Sequence, residues 1–173
     1  VEIISMAYLL YDSLNVKNLK LKINSIGSKE SRQVYVEKLK EYFSQFKEEL
    51  TTTSKKRLIS NPLRILDTKI DFEIELVKEA PKIIDYISKE DKKHFEDVLS
   101  ILETLKIPYI IDNYLVRGLD YYSRTVFEIQ TDSLGSQNAL CGGGRYDYLV
   151  EELGGSYTPA IGFAAGLERL MIA

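Results

Sequence analysis

The chain has 173 residues, 45% of them hydrophobic and 28% charged, with 23 Lys and Arg against 26 Asp and Glu. This composition is ordinary for a globular protein and excludes the strongly basic balance of an autonomous nucleic-acid-binding domain. One cysteine excludes an internal disulfide framework, and no apolar run approaches the ~20 residues of a membrane helix. Because no signal-peptide pattern opens the chain either, we expect a cytoplasmic protein without membrane contacts.

The first residues predict a helix followed by a strand. Apolar residues recur at helical spacing from Glu2 to Leu14, and residues 19–23 alternate between apolar side chains and Lys. No capping residue precedes the helix, and the chain stops a few residues into the helix expected after Gly166, so we expect an excised piece of a larger protein. The predicted buried face of the first helix is Ile3, Ala7, Leu10 and Leu14.

Residues 29–107 differ in character from the rest of the chain. They contain no glycine and balance 16 Lys and Arg against 16 Asp and Glu. Ser28 can cap a first helix, and Ser88 with Asp91 resembles a capping box ahead of the most strongly periodic helix, at 95–105. The apolar stripe of the helix that follows Ser28 is predicted to be Val34, Leu39, Tyr42, Phe43, Phe46 and Leu50.

Two further helical segments are expected in this block, at 55–59 and at 70–77, although the second also alternates like a strand. The basic clusters Lys55–Arg57 and Lys92–Lys93 could contact RNA, but a solvated helix face is the favoured interpretation. We therefore predict an all-α insertion at 29–107 between two core segments, 1–28 and 108–173.

The segment after Pro108 predicts several strands around one short helix, which makes the whole chain an α+β protein. The short helix is expected at 146–153. The expected strands are residues 109–111, 125–130, 138–141 and 160–163.

Residues 116–173 hold nine of the ten glycines and four arginines but no lysine. Arginine forks match carboxylate and phosphate oxygens, and glycine lets backbone approach a ligand closely. The pattern fits a site for a phosphorylated, carboxylate-bearing substrate, and it equally fits a glycine-rich sheet with solvated arginines. The glycines at 142–144 lack the Lys-Ser/Thr ending of a P-loop, which excludes that phosphate-binding motif.

Three sequence motifs decide between these interpretations. LVRGLDYYSRTVFE at 115–128 and CGGGRYD at 141–147 resemble the two signatures of histidyl-tRNA synthetases. PAIGFAAGLERL at 159–170 resembles motif 3 of class II aminoacyl-tRNA synthetases in its histidyl form. The similarity extends through DSLGSQ at 132–137. It also reaches upstream, to LKINSIGS at 21–28, NPLRILD at 61–67 and EAP at 79–81.

The resemblance implies part of the class II antiparallel sheet, flanked by helices, in an enzyme that activates histidine with ATP and transfers it to tRNA(His). It implies that Arg117 is the catalytic arginine, in contact with the α-phosphate and the histidine carboxylate. It also implies that Arg169 and Gly166 contact ATP. From the residues alone, Arg117 could instead form a structural ion pair with Asp112 or Asp120.

The same resemblance places Tyr121, Tyr122 and Tyr146 at the histidine pocket. Neighbouring residues of a strand face opposite sides, so Tyr121 and Tyr122 need not both enter it, and a core role stays open for either. Arg124 and Arg145 fit structural ion pairs as well as ligand contacts. Backbone of the pocket is expected from Gly118, Gly142, Gly143 and Gly144.

The expected ligands are histidine, ATP with Mg²⁺ and tRNA(His), without a tightly bound cofactor and without a metal site in this chain. His94 stands alone, and Cys141 has no nearby histidine partner, so neither predicts metal or thiol chemistry. No counterpart of class II motifs 1 and 2 is present. The resemblance implies that the intact enzyme is a homodimer, and because these motifs are missing we expect the isolated piece to be inactive. The alternative is a non-catalytic regulatory or sensor domain that binds histidine or uncharged tRNA.

Overall fold

A computed structural model describes residues 1–117, 121–135 and 138–173. Short 3-10 turns occur at Pro62–Ile65, Ile83–Asp85 and Asp132–Leu134. The helices and strands, in chain order, are α1 (Glu2–Ser13), β1 (Leu19–Ser25), α2 (Lys29–Gln45), α3 (Thr52–Ser60), α4 (Asp71–Lys78), α5 (Lys89–Thr104), β2 (Tyr109–Ile111), β3 (Ser123–Thr131), β4 (Ala139–Arg145), α6 (Leu149–Glu152), β5 (Ile161–Ala165) and α7 (Leu167–Ile172).

The five strands form one sheet in the order β2-β1-β3-β4-β5. β1 and β2 are parallel, and every other neighbouring pair is antiparallel. The predicted α+β class with a largely antiparallel sheet is therefore confirmed. The parallel pair at one edge is the exception, because β1 reaches β2 only after the whole helical block.

The sheet has two chemically different faces. Leu21, Phe127 and Cys141 belong to a buried apolar cluster that includes residues of α1 and α5, and we call their side the core face. Lys22, Glu128 and Gly142 lie in register on adjacent strands, one residue further along each strand. Since side chains alternate along a strand, these three lie on the other side, which we call the open face.

The predicted first helix is confirmed, but its predicted buried face is only partly right. Ile4, Ala7 and Tyr11 are buried, whereas Leu10 and Leu14 are about half exposed. Two apolar stripes run along α1, and periodicity alone cannot decide which one faces the sheet. In α2 the same ambiguity exchanges Val34, which is exposed, for Tyr35, which is fully buried.

Every regular element between residues 29 and 107 is helical, and the segment at 70–77 is a helix. Ser28 and Ser88 both accept a hydrogen bond from the backbone N–H three residues on, as expected of N-caps. Helices α2 to α4 contribute to a second apolar cluster that also contains Val126 of the open face. α5 instead packs in the cluster of the core face. The boundary at residue 107 stays a prediction.

Among the described residues, no helix is long and apolar enough to cross a membrane.

Candidate active site

Arg117 lies on the open face at the middle of the sheet. Its Nη1 donates to Oε2 of Glu128 over 2.6 Å, and both side chains are mostly buried. A Cβ added to Gly142 would lie 2.5 Å from both Cζ and Nη2 of Arg117. The guanidinium is therefore stacked on the strand where a side chain is missing, and only glycine leaves room for it.

The described partner of Arg117 is Glu128 and not Asp112, one of the two that the sequence suggested. Asp112 pairs with Nζ of Lys22 at 2.9 Å, and Asp120 lies outside the described residues. The Nε of Arg117 is buried without a hydrogen-bond partner among the described residues. Part of the fork is thus not used in hydrogen bonds to the described residues.

Glu128 is held by a second donor that sequence reasoning missed. Nε2 of Gln130 donates to its Oε1 over 2.6 Å, and Oε1 of Gln130 accepts from Nδ2 of Asn138 over 3.3 Å. Glu128 is the last residue of the first histidyl word, and Gln130 follows on the same face of β3. The signal that could have found them is this alternation, since polar residues on a strand next to a buried strand need partners.

Two cavities meet at the ion pair of Arg117 and Glu128. The larger, of about 410 Å³, is also lined by Gly142, Gly166 and Arg169. The smaller cavity, of about 260 Å³, is polar. It extends towards β1 and the helical block, where it is lined by Lys22, Leu66, Asp67, Lys69, Asp112 and Gln130, among others.

Arg169 and Gly166 lie at one end of the larger cavity. Nη1 of Arg169 donates to the carbonyl of Ala139 over 2.8 Å, and the N–H of Gly166 donates to the carbonyl of Leu140 over 3.0 Å. These bonds fix the start of α7 against β4. The structure therefore brings Arg117, Gly166 and Arg169 around one cavity, and their contacts with ATP stay a prediction.

The three predicted tyrosines form one aromatic cluster. The ring centroid of Tyr121 lies 4.6 Å from that of Tyr122 and 5.8 Å from that of Tyr146. The alternation of strand residues does not apply to Tyr121 and Tyr122, because both precede β3 and are not part of the strand. Tyr122 is buried, while Tyr121 and Tyr146 are partly exposed.

The cluster presents neutral phenols. A hydrogen bond with Tyr122, followed by burial, raises the pKa of Tyr121 to about 12, although the positive charge of Arg117 acts in the opposite direction. Tyr121 therefore keeps its proton at neutral pH and can donate or accept a hydrogen bond.

The predicted pocket glycines divide between the two faces of β4. Gly142 and Gly144 are on the open face, where a Cβ on Gly144 would lie 2.6 Å from the carbonyl oxygen of Thr125. Gly143 is on the core face, where a Cβ would collide with backbone of Gly162. Gly143 therefore does not present an open surface to the pocket. Gly118 lies outside the described residues.

Hydrogen bonds from three directions anchor the segment that carries Arg117 and the tyrosines. Nδ2 of the buried Asn24 donates to the carbonyl of Leu115, and Oη of Tyr114 donates to the carbonyl of Lys78. Arg32, at the start of α2, donates to the carbonyl of Tyr122 over 2.8 Å. The helical block thus helps to position the site.

Arg124 and Arg145 are engaged in structural ion pairs. Arg124 pairs with Glu90 at 2.7 Å and with the buried Asp91 at 3.0 Å. Its φ of +52° coincides with a register shift in β3. Arg145 pairs with Asp147 at 3.2 Å. These bonds account for both arginines without a ligand.

The remaining reactive side chains are away from the open face or held unreactive. Burial raises the pKa of the Cys141 thiol to about 11, so the thiolate is scarce at neutral pH. Burial and the nearby charge of Arg124 lower the pKa of His94. Among the described residues, no group of three or more His, Cys, Asp or Glu could hold a metal ion.

Comparison with known proteins identifies the family. The model of a family described as histidyl-tRNA synthetase matches residues 2–170. The chloroplastic histidine–tRNA ligase of Pyropia yezoensis is 52% identical over 171 residues, which cover 99% of this chain and 40% of that protein. The histidine–tRNA ligase of Ruthia magnifica subsp. Calyptogena magnifica is 50% identical with the same coverage.

A solved structure shows the same fold. The crystal structure of apo S. aureus histidyl-tRNA synthetase matches with a TM-score of 0.74 and 38% identity, over 99% of this chain and 42% of that one. This chain spans about two fifths of the length of the curated relatives it matches. The chain belongs to the histidyl-tRNA synthetase family.

Proposed function

We propose that this chain forms part of the catalytic core of a histidine–tRNA ligase, which joins histidine to tRNA(His) at the expense of ATP. The order of groups along β4 carries the proposal. Arg169 is bonded at Ala139, Arg117 lies over Gly142, and the tyrosine cluster is next to Gly144. At ~3.3 Å per strand residue, successive groups are ~7–10 Å apart. This spacing suits the outer phosphates, the α-phosphate and the amino acid of one extended reaction complex.

Arg117 would supply the fixed positive charge for adenylate formation. The histidine carboxylate attacks the α-phosphorus of ATP, and pyrophosphate leaves as histidyl-adenylate forms. Two anions must approach each other in this step, and negative charge builds on the α-phosphate. A protonated guanidinium on a rigid strand lowers that barrier because it is already oriented when the charge develops.

Tyr121, Tyr122 and Tyr146 would bind the histidine side chain. A phenol can donate to one imidazole nitrogen, and aromatic rings enclose the flat ring of histidine. Gly144 leaves space for the tyrosine cluster, because a side chain at this position would collide with Tyr122. Arg169 and Gly166 would hold ATP beyond Arg117, where the larger cavity opens.

Mg²⁺ enters this proposal only as a companion of ATP. The described carboxylates that line the cavities with Arg117 are in ion pairs: Glu128 with Arg117, Asp112 with Lys22 and Asp67 with Lys69. These residues do not fit a metal site, so no step is assigned to a metal held by this chain. We further propose that tRNA(His) is the acceptor, that the intact enzyme is a homodimer, and that this chain alone does not activate histidine.

The test uses a ligase polypeptide that contains this chain. Arg117→Ala should slow single-turnover adenylate formation by ~10²–10³, or about 3–4 kcal/mol, with far less effect on substrate binding. Arg117→Lys should recover only part of the rate, since an ammonium group cannot span two oxygens. Transfer from preformed adenylate to tRNA should suffer less. Equal damage to both steps, or full rescue by Lys, would contradict the proposed role.

Binding can be measured on the chain itself. Histidine titration followed by NMR should shift tyrosine resonances. The same shifts should appear in the control variant Arg124→Gln, because that arginine is used only in structural ion pairs. Binding of histidine without any histidine-dependent ATP–pyrophosphate exchange by the longer polypeptide would favour a sensor over a ligase.

A further inference from the structure

Arg117 is held on the open face by one hydrogen-bonded anion. Its only hydrogen bond to another described side chain runs from Nη1 to Oε2 of Glu128 over 2.6 Å. Nη1 is at one corner of the fork, so this bond restricts rotation of the guanidinium about its stem. Both ends are largely shielded from water, with side-chain exposures of 24% for Arg117 and 17% for Glu128. A bond in this setting is less screened than a surface ion pair.

Glu128 in turn has no freedom to turn away. Its other oxygen accepts from Nε2 of Gln130 over 2.6 Å, and the amide oxygen of Gln130 accepts from Asn138. A carboxylate can only accept, so the amide of Gln130 must present its NH₂ group to Glu128 and its oxygen to Asn138. The chain of donors and acceptors therefore has a single consistent orientation from Asn138 to Arg117.

The pair is also the wall between the two cavities. Both the 410 Å³ cavity with Arg169 and the 260 Å³ cavity with Lys22 are lined by Arg117 and Glu128. The position of the guanidinium therefore bears on the shape of both cavities.

We propose that Glu128 is the positioning residue of Arg117, and that Gln130 acts through Glu128. Glu128 does not contact substrate in this proposal. It keeps the fork over Gly142, at the edge of the cavity that Arg169 also lines. The inference rests on the proposed function, since it assigns a role within the same adenylate-forming step.

The main experiment compares Glu128→Gln with its parent in a ligase polypeptide that contains this chain. The amide keeps the shape but cannot accept from both Arg117 and Gln130 in the present orientation. Displacement of a catalytic group by ~1 Å can cost ~10²-fold, so kcat for ATP–pyrophosphate exchange should fall by about 10–100-fold. The KM for histidine should change by less than about threefold, because the tyrosine cluster is not altered.

Glu128→Asp separates position from charge. The aspartate keeps the negative charge, but its carboxylate is one methylene closer to β3. If only neutralisation of Arg117 mattered, this variant would match the parent. Positioning instead predicts a fall in kcat comparable to that of Glu128→Gln. Asp132→Asn is the matched control, because Asp132 pairs with Lys20 at 2.7 Å on the exposed surface, and its kcat should be that of the parent.

A double-mutant cycle tests the chain of contacts. Gln130→Leu should lower kcat less than Glu128→Gln does, and it should have no further effect in the Glu128→Gln background. Likewise, Glu128→Gln should have no further effect on kcat in the Arg117→Ala background. Additive effects in either cycle would overturn the inference. If Glu128→Gln does not fold, Gln130→Leu decides: a parent-like kcat overturns the inference, and a lowered kcat at an unchanged melting temperature supports it.

The outcomes also distinguish this inference from the proposed function. An inactive Arg117→Ala with a parent-like Glu128→Gln refutes only the positioning role. A fully active Arg117→Ala refutes both.

Discussion

Gly142→Ala is expected to slow catalysis without weakening the fold. The added Cβ would lie 2.5 Å from Cζ and Nη2 of Arg117, whereas ordinary contact begins at 3.4 Å. The guanidinium would therefore have to move by about 0.9 Å, or the strand would have to yield. The side chain yields first, because its end is flexible and β4 is bonded on both edges. A misplacement of ~1 Å at the reacting centre can cost ~10²-fold in rate.

The cost in stability should be small. Replacing Gly by Ala in a strand removes conformational freedom from the unfolded chain, which favours folding by roughly 0.5–1 kcal/mol. Loss of the bond between Arg117 and Glu128 opposes this gain. A buried bond to a charged group contributes about 1.5–3 kcal/mol, and this bond contributes less because both side chains are partly exposed. We expect the free energy of unfolding to change by about 1 kcal/mol or less.

Gly143→Ala provides the matched control, one residue along the same strand. Its Cβ would face the core and lie 2.6 Å from Cβ and 2.7 Å from Cα of Phe163, with the carbonyl of Gly162 closer still. These atoms cannot rotate away, so overpacking should cost roughly 1–3 kcal/mol. The activity of each folded molecule should be retained, because the open face is not changed.

Urea unfolding of the chain and ATP–pyrophosphate exchange by a ligase polypeptide that contains it measure the two effects separately. The reasoning predicts a stable, slow Gly142→Ala and an unstable, active Gly143→Ala. Parent-like kcat for Gly142→Ala would refute the close packing of Arg117 on β4. So would a loss of stability equal to that of Gly143→Ala.

Two further predictions concern the helical block. The buried Glu73 accepts hydrogen bonds from Thr51, Ser54 and Thr68, and although burial opposes ionisation, these bonds lower its pKa. Its contribution to stability is therefore present above the carboxyl pKa of an unfolded chain, about 4.3, and is lost as pH falls through the lower folded value. Glu73→Gln should cost about 1.5–3 kcal/mol at pH 7 and remove this acid dependence in urea unfolding, whereas Glu75→Gln, in an exposed pair, should change little. An excised 29–107 segment should be helical by circular dichroism but should melt without cooperativity. The reason is that it exposes the apolar side of α5, which packs on the core face of the sheet in the full chain. A sharp melting transition would contradict this packing argument.

Most elements of the fold could be predicted because each one is encoded locally. Helical spacing, the caps at Ser28 and Ser88, and alternation in the strands all act within a few residues. The buried side of a helix is different, since it depends on what lies opposite. In α1, Leu10 and Tyr11 are both apolar enough to be buried, and only the position of the sheet selects Tyr11. Where two sides of a helix are both apolar, the buried side can be identified only from the tertiary structure.

The candidate site shows the same division between local and tertiary information. The family motifs located Arg117, Arg169 and the tyrosines, because each motif is a continuous stretch of characteristic residues. They did not locate Glu128 as the partner of Arg117, and Asp112, one of the two alternatives they offered, pairs with Lys22 instead. The pairing depends on sheet register, which brings Glu128 opposite Gly142 and beneath the segment that carries Arg117. A register cannot be read from either strand alone.

The two faces of the sheet explain why this site can be altered without loss of the fold. On the core face, large apolar side chains such as Phe127 and Ile129 are fully buried and carry the packing energy. On the open face, β4 and β5 contribute Gly142, Gly144 and Ala164, which contribute little to a core but leave space above the strands. Rigidity comes from the backbone pairing that both faces share, so Arg117 rests on a stiff surface at β4. Val126, on the open face of β3, is instead buried against the helical block. At β4 and β5, substitutions on the core face should therefore change stability first, and substitutions on the open face should change the rate first.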